Sequence, residues 1–141
     1  QGGLNMASIH GQGNVITAKL TASVTRGRIV RTSGAFSGGI PVVLQSTDPL
    51  TATGHNNIGV ALSSGVAGDL IDVQIDGICS FAIAAGVLTP GALVTTEAAG
   101  KVAAAIAGDT TVGRFISGKD ADGSSNNNEE CIIHLGISRA L

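Results

Sequence analysis

Apolar and polar side chains alternate through residues 71–76, Ile-Asp-Val-Gln-Ile-Asp. A period of two places successive side chains on opposite faces of a strand, so this segment is predicted to be a half-buried antiparallel strand. Its polar members are expected to form a face exposed to water: Asp72, Gln74 and Asp76.

This strand belongs to a larger pattern at residues 58–83. Short apolar segments around Val60, Val73 and Phe81 have the length and the β-branched content of strands, and small turns separate them. Asp76-Gly77 is predicted to form a tight hairpin turn, because glycine tolerates the positive φ that such turns need. The stretch as a whole is predicted to be an antiparallel meander.

The pattern recurs near the C-terminus. Residues 112–118 repeat the strand and turn of residues 58–64, and residues 131–136 repeat the alternation of residues 71–75. A longer loop at residues 119–129 is the main difference between the two copies. Because only two copies exist, the repeat predicts two similar sheet units in one barrel-like domain and not a solenoid.

Further strand patterns fill the rest of the chain. Partial alternation predicts three strands in the first half: residues 15–24, 28–31 and 40–45. Residues 33–39 are rich in Gly and Ser and are predicted to be a loop that carries Phe36. Residues 93–96 and 101–105 are predicted to be two short strands, since Gly100 and the flanking turn signals disfavour the helix that the alanines of residues 97–106 suggest. The predicted fold class is all-β, a small β-barrel of short antiparallel strands.

Residues 1–14 lack the period of a helix or a packed strand, and their apolar side chains are spaced singly: Leu4, Met6 and Ile9. They are predicted to form an extended N-terminal arm ahead of a single domain at residues 15–141. An arm with apolar anchors can add a strand to the sheet of a neighbour. The alternative is a tail without a binding role.

The composition indicates a component of an assembly. Charged residues make up 13% of the 141 residues, whereas ordinary soluble domains contain about 25%. There are 21 Gly and no Trp or Tyr, so Ala, Val, Ile and Leu must supply most of the core. A surface so poor in charge is adhesive unless partners cover it, which predicts an obligate oligomer or an assembly component.

Charge and hydropathy argue against nucleic-acid and membrane partners. A net charge of −2 offers no basic surface for phosphates, and the lack of Tyr and Trp removes stacking platforms. No apolar run reaches the roughly 18 residues that a membrane helix needs. A secretory signal peptide is not predicted, because no charged segment is followed by the apolar stretch that such a peptide needs.

No set of residues predicts catalysis, so an enzyme is not expected. The three histidines, His10, His55 and His134, lack metal-ligand spacing, and His134 is expected to face solvent or an interface from the last strand. Cys79 and Cys131 lie within apolar strand patterns, which favours two buried small side chains. Whether the two are close enough for a disulfide stays open.

Residues 120–124, Asp-Ala-Asp-Gly-Ser, contain the paired carboxylates of a calcium loop. The pattern fails further on, because Ser125 replaces the glycine of the sharp turn and Cys131 replaces the bidentate glutamate. An exposed Asp-Gly loop is therefore favoured over cation binding. No metal and no cofactor is predicted.

The motifs, taken in order, resemble the head-decoration, or capsid cement, proteins of tailed bacteriophages. The similarity covers roughly residues 24–136. It lies in seven segments: Ile58-Gly59-Val60-Ala61-Leu62, Ala67-Gly68-Asp69, residues 71–77, Thr89-Pro90-Gly91, Ala99-Gly100-Lys101, Val112-Gly113 and Ile132-Ile133-His134-Leu135-Gly136. Each is a generic strand or turn, and their order and spacing carry the resemblance.

This resemblance implies a small β-barrel or β-tulip-like protein on the outer surface of an expanded icosahedral head, within the virion. It implies two partners, the major capsid protein and sister copies, with a homotrimer favoured over a dimer. The protein would clamp neighbouring capsid subunits against the pressure of the DNA. Capsid contact is expected from the arm and its junction with the barrel: Leu4, Met6, Ile9, Val15 and Ile16.

Two other functions stay open at this stage. One is a head-fibre or surface-adhesion subunit that binds a host receptor or glycan, although glycan binders usually expose aromatic rings and this chain has three Phe as its aromatic residues. The other is a small enzyme whose site is assembled between subunits.

Overall fold

The structure, a computed structural model, describes residues 13–47 and 57–136. A 3-10 turn at Ala98–Gly100 is the one helical element of these residues. Their ten strands are β1 Val15–Leu20, β2 Ile29–Ser37, β3 Ile40–Gln45, β4 Asn57–Ala61, β5 Leu70–Gln74, β6 Gly77–Ile83, β7 Leu93–Glu97, β8 Lys101–Ala104, β9 Gly113–Ser117 and β10 Glu130–Leu135. The predicted all-β class is confirmed. Most of the predicted arm, with Leu4, Met6 and Ile9, lies outside the described residues.

Strands β1–β5 form a hydrogen-bonded ring, here called the first unit, in the order β1-β3-β2-β4-β5. Strand β5 pairs antiparallel with both β4 and β1. The ring closes through a short parallel pair of β1 and β3, at Lys19↔Val42 and Leu20↔Val43. Alternate side chains point inward and form a first core: Ala18, Leu20, Val24, Val30, Val43, Ala61, Ile71 and Val73.

Strands β6–β10, the second unit, form a five-stranded sheet in the order β6-β10-β9-β7-β8. Ala84, directly after the outer strand β6, forms a parallel bridge with Val102 of the other outer strand, β8. The second core consists of Cys79, Ala82, Ala84, Leu88, Val94, Val102, Val112, Phe115, Cys131, Ile133 and Leu135, together with Ile29 and Val60 from the first unit. The two units therefore share one hydrophobic core at their junction.

The two units have the same topology. Followed from β1 in the opposite direction, the ring has the order β1-β5-β4-β2-β3, and the second sheet repeats it as β6-β10-β9-β7-β8. Matching residue pairs hold the same places in the two ladders: Val60↔Gln74 and Arg114↔His134, Thr32↔Val43 and Thr96↔Val102, Val15↔Gln74 and Ile78↔His134. The internal repeat predicted from residues 58–75 and 112–136 is confirmed, and the structure extends it to all five strands.

The hairpin predicted at Asp76-Gly77 is wrong. Gly77 does adopt a positive φ of 85°. However, the strands on either side do not pair: β5 pairs with β1 and β4, whereas β6 pairs with β10. A local turn pattern cannot show which strand becomes the neighbour, and here the turn joins one unit to the next. The predicted meander therefore spans the boundary between the units.

The loop predicted at residues 33–39 is also wrong. Strand β2 continues to Ser37 and pairs with β3 through Phe36↔Pro41 and Ser37↔Ile40. The connection is a two-residue turn of Gly38 and Gly39, both with positive φ, which suits a hairpin between twisted strands. The glycines and serines that suggested a loop thus belong to a β-hairpin, and its Phe36 is 75% exposed.

The expectation that Gln74 faces water is wrong as well. Its side chain is 6% exposed, and its Nε2 donates hydrogen bonds to the carbonyl oxygens of Asp76, at 2.8 Å, and Ile78, at 3.0 Å. Val60 of β4 packs in the second core and Gln74 bonds to β6, so the second unit covers this end of the outer face of β5 and leaves Leu70 exposed. Asp72 is exposed, as predicted.

The described residues contain no helix of the length and apolarity needed to span a membrane.

Candidate functional site

The groups with potential chemistry are dispersed over the described residues. His134 is exposed on β10, between Arg114 of β9 and Ile78 of β6, as the sequence predicts; His10 and His55 lie outside the described ranges. Across residues 13–47 and 57–136, no three His, Cys, Asp or Glu side chains are grouped so that they could hold a metal ion.

The carboxylates of the loop between β9 and β10 order that loop. The Ser124 hydroxyl donates to Asp122 Oδ1, at 2.7 Å, and also lies within hydrogen-bond distance of Asp120 Oδ2, at 3.2 Å; the Ser124 amide donates to Asp122 as well. Asn126 Nδ2 donates to Asp120 at 3.0 Å. The hydrogen bonds from Ser124 lower the pKa of Asp122 because they stabilise its charged form. These acids thus have structural partners within their own loop.

The two cysteines are free thiols buried in the second core, as the sequence predicts. On the ladder of β6 and β10, Cys79 lies opposite Ile133 and Cys131 opposite Ala82. Burial raises the pKa of the Cys79 thiol. Burial, and to a lesser extent the negative charge of an ionised Cys79, raises the pKa of Cys131 to about 12.

Both thiols are expected to be inert in the folded protein. At about pH 8 neither should react with Ellman's reagent, and both should react after unfolding in guanidinium, because the reactive thiolate is disfavoured by burial. Since the folded pKa lies above the unfolded one, the neutral thiols stabilise the fold fully below about pH 9, and this stabilisation is lost as the pH rises towards about 12. Rapid labelling of the native protein would contradict this prediction.

Polar contacts reinforce the junction of the two units. The guanidinium of Arg26 stacks over the ring of Phe81, 4.1 Å from its centroid, and Arg28 Nη1 donates to the carbonyl of Ala99 at 2.8 Å. Thr96 Oγ1 donates to the carbonyl of Thr47 at 2.9 Å. Together with the shared apolar core, these contacts hold the units in a defined arrangement.

The root of the N-terminal arm is attached to the first unit. Asn14 donates from its amide and from Nδ2 to the Asp76 carboxylate, at 2.7 and 3.0 Å, and its carbonyl accepts from the Ile75 amide at 2.9 Å. Val15 is 49% exposed, whereas Ile16 is half-buried and packs against the first core. Of the two predicted contact residues described here, Val15 is the one more available to a partner.

Exposed apolar side chains mark the possible contact surfaces. The large ones among the described residues are Val15, Phe36, Val66, Leu70, Ile78, Val87, Ile106 and Ile116. Apart from Val15, the sequence did not single these out as contacts, because a period of two shows which residues share a face and not whether that face is covered.

A profile of the phage cement protein family matches residues 10–131, which is most of the chain. The chain belongs to the phage cement protein family. The resemblance drawn from the sequence motifs is thereby confirmed. Membership gives this cement protein a structural, capsid-associated role in the virion. No curated protein matches it.

The fold of this cement protein is similar to that of a solved phage structure, the head fiber gp8.5 N base of bacteriophage phi29. The TM-score is 0.63, and the match covers 91% of this chain and 98% of the phi29 chain. At 15% sequence identity, the similarity shows a shared fold.

Proposed function

We propose that this cement protein binds the outer surface of the expanded head and stabilises it by clamping neighbouring major capsid subunits. The observation that carries the proposal is the family match over residues 10–131, which begins within the predicted arm and runs through both units. The low charge of the chain supports it, because a sparsely charged surface is best covered by partners.

The arm is the proposed capsid-binding element. Leu4, Met6 and Ile9 would anchor it on the shell, where it could add a strand to a sheet of the capsid protein. The hydrogen bonds of Asn14 to Asp76 support this role, since they fix the point where the arm leaves the rigid body. Val15 would extend the contact at that point, and Ile16 would support it from the core.

The proposed assembly is a homotrimer at three-fold positions of the head, made in the host cytoplasm and without a cofactor, nucleic acid or membrane as partner. Contacts repeated over a closed lattice add up, so individually weak sites can stabilise the shell strongly. No catalytic activity is part of this proposal.

Cosedimentation of the purified protein with empty heads tests this function. We expect binding to expanded heads and none to unexpanded heads, because expansion creates the surface that the protein spans. Expanded heads with bound protein should also disassemble at a higher temperature than bare ones. Equal binding to both forms, or no binding to either, would contradict the proposal.

A second candidate function is the base of a head fibre. The fold similarity to the phi29 head fiber base and the exposed Phe36 favour it. Such a subunit would attach to the head without strengthening it and would bind a host receptor or glycan, for which the exposed ring of Phe36 is available. Binding that leaves the disassembly temperature of the heads unchanged, together with attachment to host cells, would favour the fibre.

A further inference from the structure

The two units of one chain meet through a face of the first unit, and the second unit has an equivalent face. In the first unit this contact face consists of Ile29, Thr47, Val60 and Gln74. The side chains of Ile29 and Val60 are fully buried in the second core. The Thr47 carbonyl accepts a hydrogen bond from Thr96, and Gln74 donates to the carbonyl of Ile78. All four residues therefore contact the second unit.

The strand registers assign a counterpart to each of these residues in the second unit: Leu93, Ile106, Arg114 and His134. The pairs Ile29↔Val60 and Val60↔Gln74 correspond to Leu93↔Arg114 and Arg114↔His134. The hydrogen bond from the Ser46 amide to the Ile29 carbonyl corresponds to that from Ala105 to Leu93, which places Ile106 at the position of Thr47.

This counterpart face, here called the second-unit face, is accessible. Ile106 is 70% exposed, Arg114 and His134 are exposed, and Leu93 is half-buried. The same part of the fold is thus covered by the neighbouring unit in one half of the chain and open in the other half.

The receiving side of the contact also has a counterpart. Two parts of the second unit contact the first unit here. Phe81 of β6 lies under the guanidinium of Arg26, and the turn at Ala98–Gly100 accepts the hydrogen bond from Arg28 to the Ala99 carbonyl. By the shared topology, the equivalent places in the first unit are β1 and the β2–β3 hairpin. Lys19 Nζ, 3.3 Å from Ser37 Oγ, ties the two together.

The β2–β3 hairpin is longer than its counterpart. Eleven positions separate Thr32 from Val43, whereas six separate Thr96 from Val102. The extra residues include Phe36, whose side chain is exposed. In the first unit, a longer hairpin with an exposed aromatic ring therefore occupies the position at which the second unit contacts its neighbour. Aromatic side chains are frequent anchors of protein interfaces.

We propose that copies of this chain associate head to tail. The second-unit face of one copy binds β1 and the β2–β3 hairpin of the next copy, and this contact repeats the one that joins the two units within a chain. Arg114, whose Nη1 donates to the Gly91 carbonyl of its own unit at 2.6 Å, lies on one side; the other side carries Lys19 and also the exposed carboxylate of Asp72, beside Thr17 of β1, with which Arg114 can pair. A heterologous contact of this kind closes into a ring when the rotation permits. A ring of three copies would contain six similar units.

This inference deepens the proposed self-association and rests on that part of the proposed function. Two variants test it by light scattering after size exclusion, in the absence of heads. Arg114→Glu disrupts the second-unit face, and Phe36→Asp disrupts the receiving hairpin. We expect an oligomer for the unaltered chain and a monomer for each variant alone. An equimolar mixture should give a dimer and nothing larger, because it retains one intact pair of faces.

Val66→Asp is the matched control, since Val66 is also exposed and belongs to neither face; it should keep the unaltered mass. Circular dichroism verifies folding. If Arg114→Glu does not fold, Ile106→Asp replaces it on the second-unit face; if Phe36→Asp does not fold, Ala35→Asp replaces it on the hairpin. A monomeric unaltered chain, a face variant that keeps the oligomer mass, or a mixture that stays monomeric would overturn the inference. Because no heads are used, such a result would leave the head-binding test untouched.

Discussion

Replacing Gly113 with alanine should lower the free energy of unfolding by about 3 kcal/mol or more. A Cβ at Gly113 would lie 2.2 Å from the carbonyl oxygen of His134 on the paired strand. The repeated glycine of the first unit, Gly59, has the same geometry, with its Cβ 2.0 Å from the carbonyl oxygen of Gln74. In both cases the obstacle is a backbone atom of a paired strand, so relief would require the strands to separate and to lose hydrogen bonds.

Guanidinium unfolding at 25 °C measures this effect, and Gly136→Ala is the control. Gly136 follows β10 directly, and a Cβ there would meet no heavy atom within 4 Å. We expect its substitution to change stability by no more than about 0.5 kcal/mol. If Gly59→Ala and Gly113→Ala were as mild as the control, the close approach of β4 to β5 and of β9 to β10 would be in error.

Removal of residues 1–12 should abolish binding to expanded heads and leave the fold intact. The proposed apolar anchors, Leu4, Met6 and Ile9, would be lost. The truncation keeps Asn14, because its three hydrogen bonds to Asp76 and Ile75 belong to the rigid body. Cosedimentation measures binding, and thermal unfolding monitors the fold.

A full-length variant with Leu4, Met6 and Ile9 all changed to Ser is the companion experiment. It preserves the length of the arm and removes its apolar side chains, so it separates anchoring from mere reach. Binding by the truncated protein at the level of the full chain would show that the arm is not the capsid-binding element. Loss of folding in the truncated protein would show instead that the arm stabilises the first unit.

Local pattern predicted much of the fold. Strand β3 occupies the residues predicted for it, and the alternation at residues 71–76 correctly placed Ile71 and Val73 inside and Asp72 outside. The glycine inside residues 93–105 correctly favoured two strands over a helix. These features depend on neighbours in sequence, namely side-chain period and turn residues, and so they are visible without a structure.

Partner choice between distant strands was not predictable in this way. The Asp76-Gly77 turn has the composition of a hairpin, but β6 pairs with β10, about 50 residues further along the chain. Gln74 has the period of an exposed residue, but another unit covers it. A turn determines the local direction of the chain, and the competition among all available strands determines which edges pair.

The sequence by itself determined the all-β class, the internal repeat, the burial of Cys79 and Cys131, and a resemblance to cement proteins that the family match confirms. Only the tertiary structure decided where one unit ends and the next begins, which outer faces are covered, and that Phe36 is exposed on a hairpin. The physical reason is that periodicity records which side chains share a face, whereas coverage of that face depends on a surface formed elsewhere in the chain.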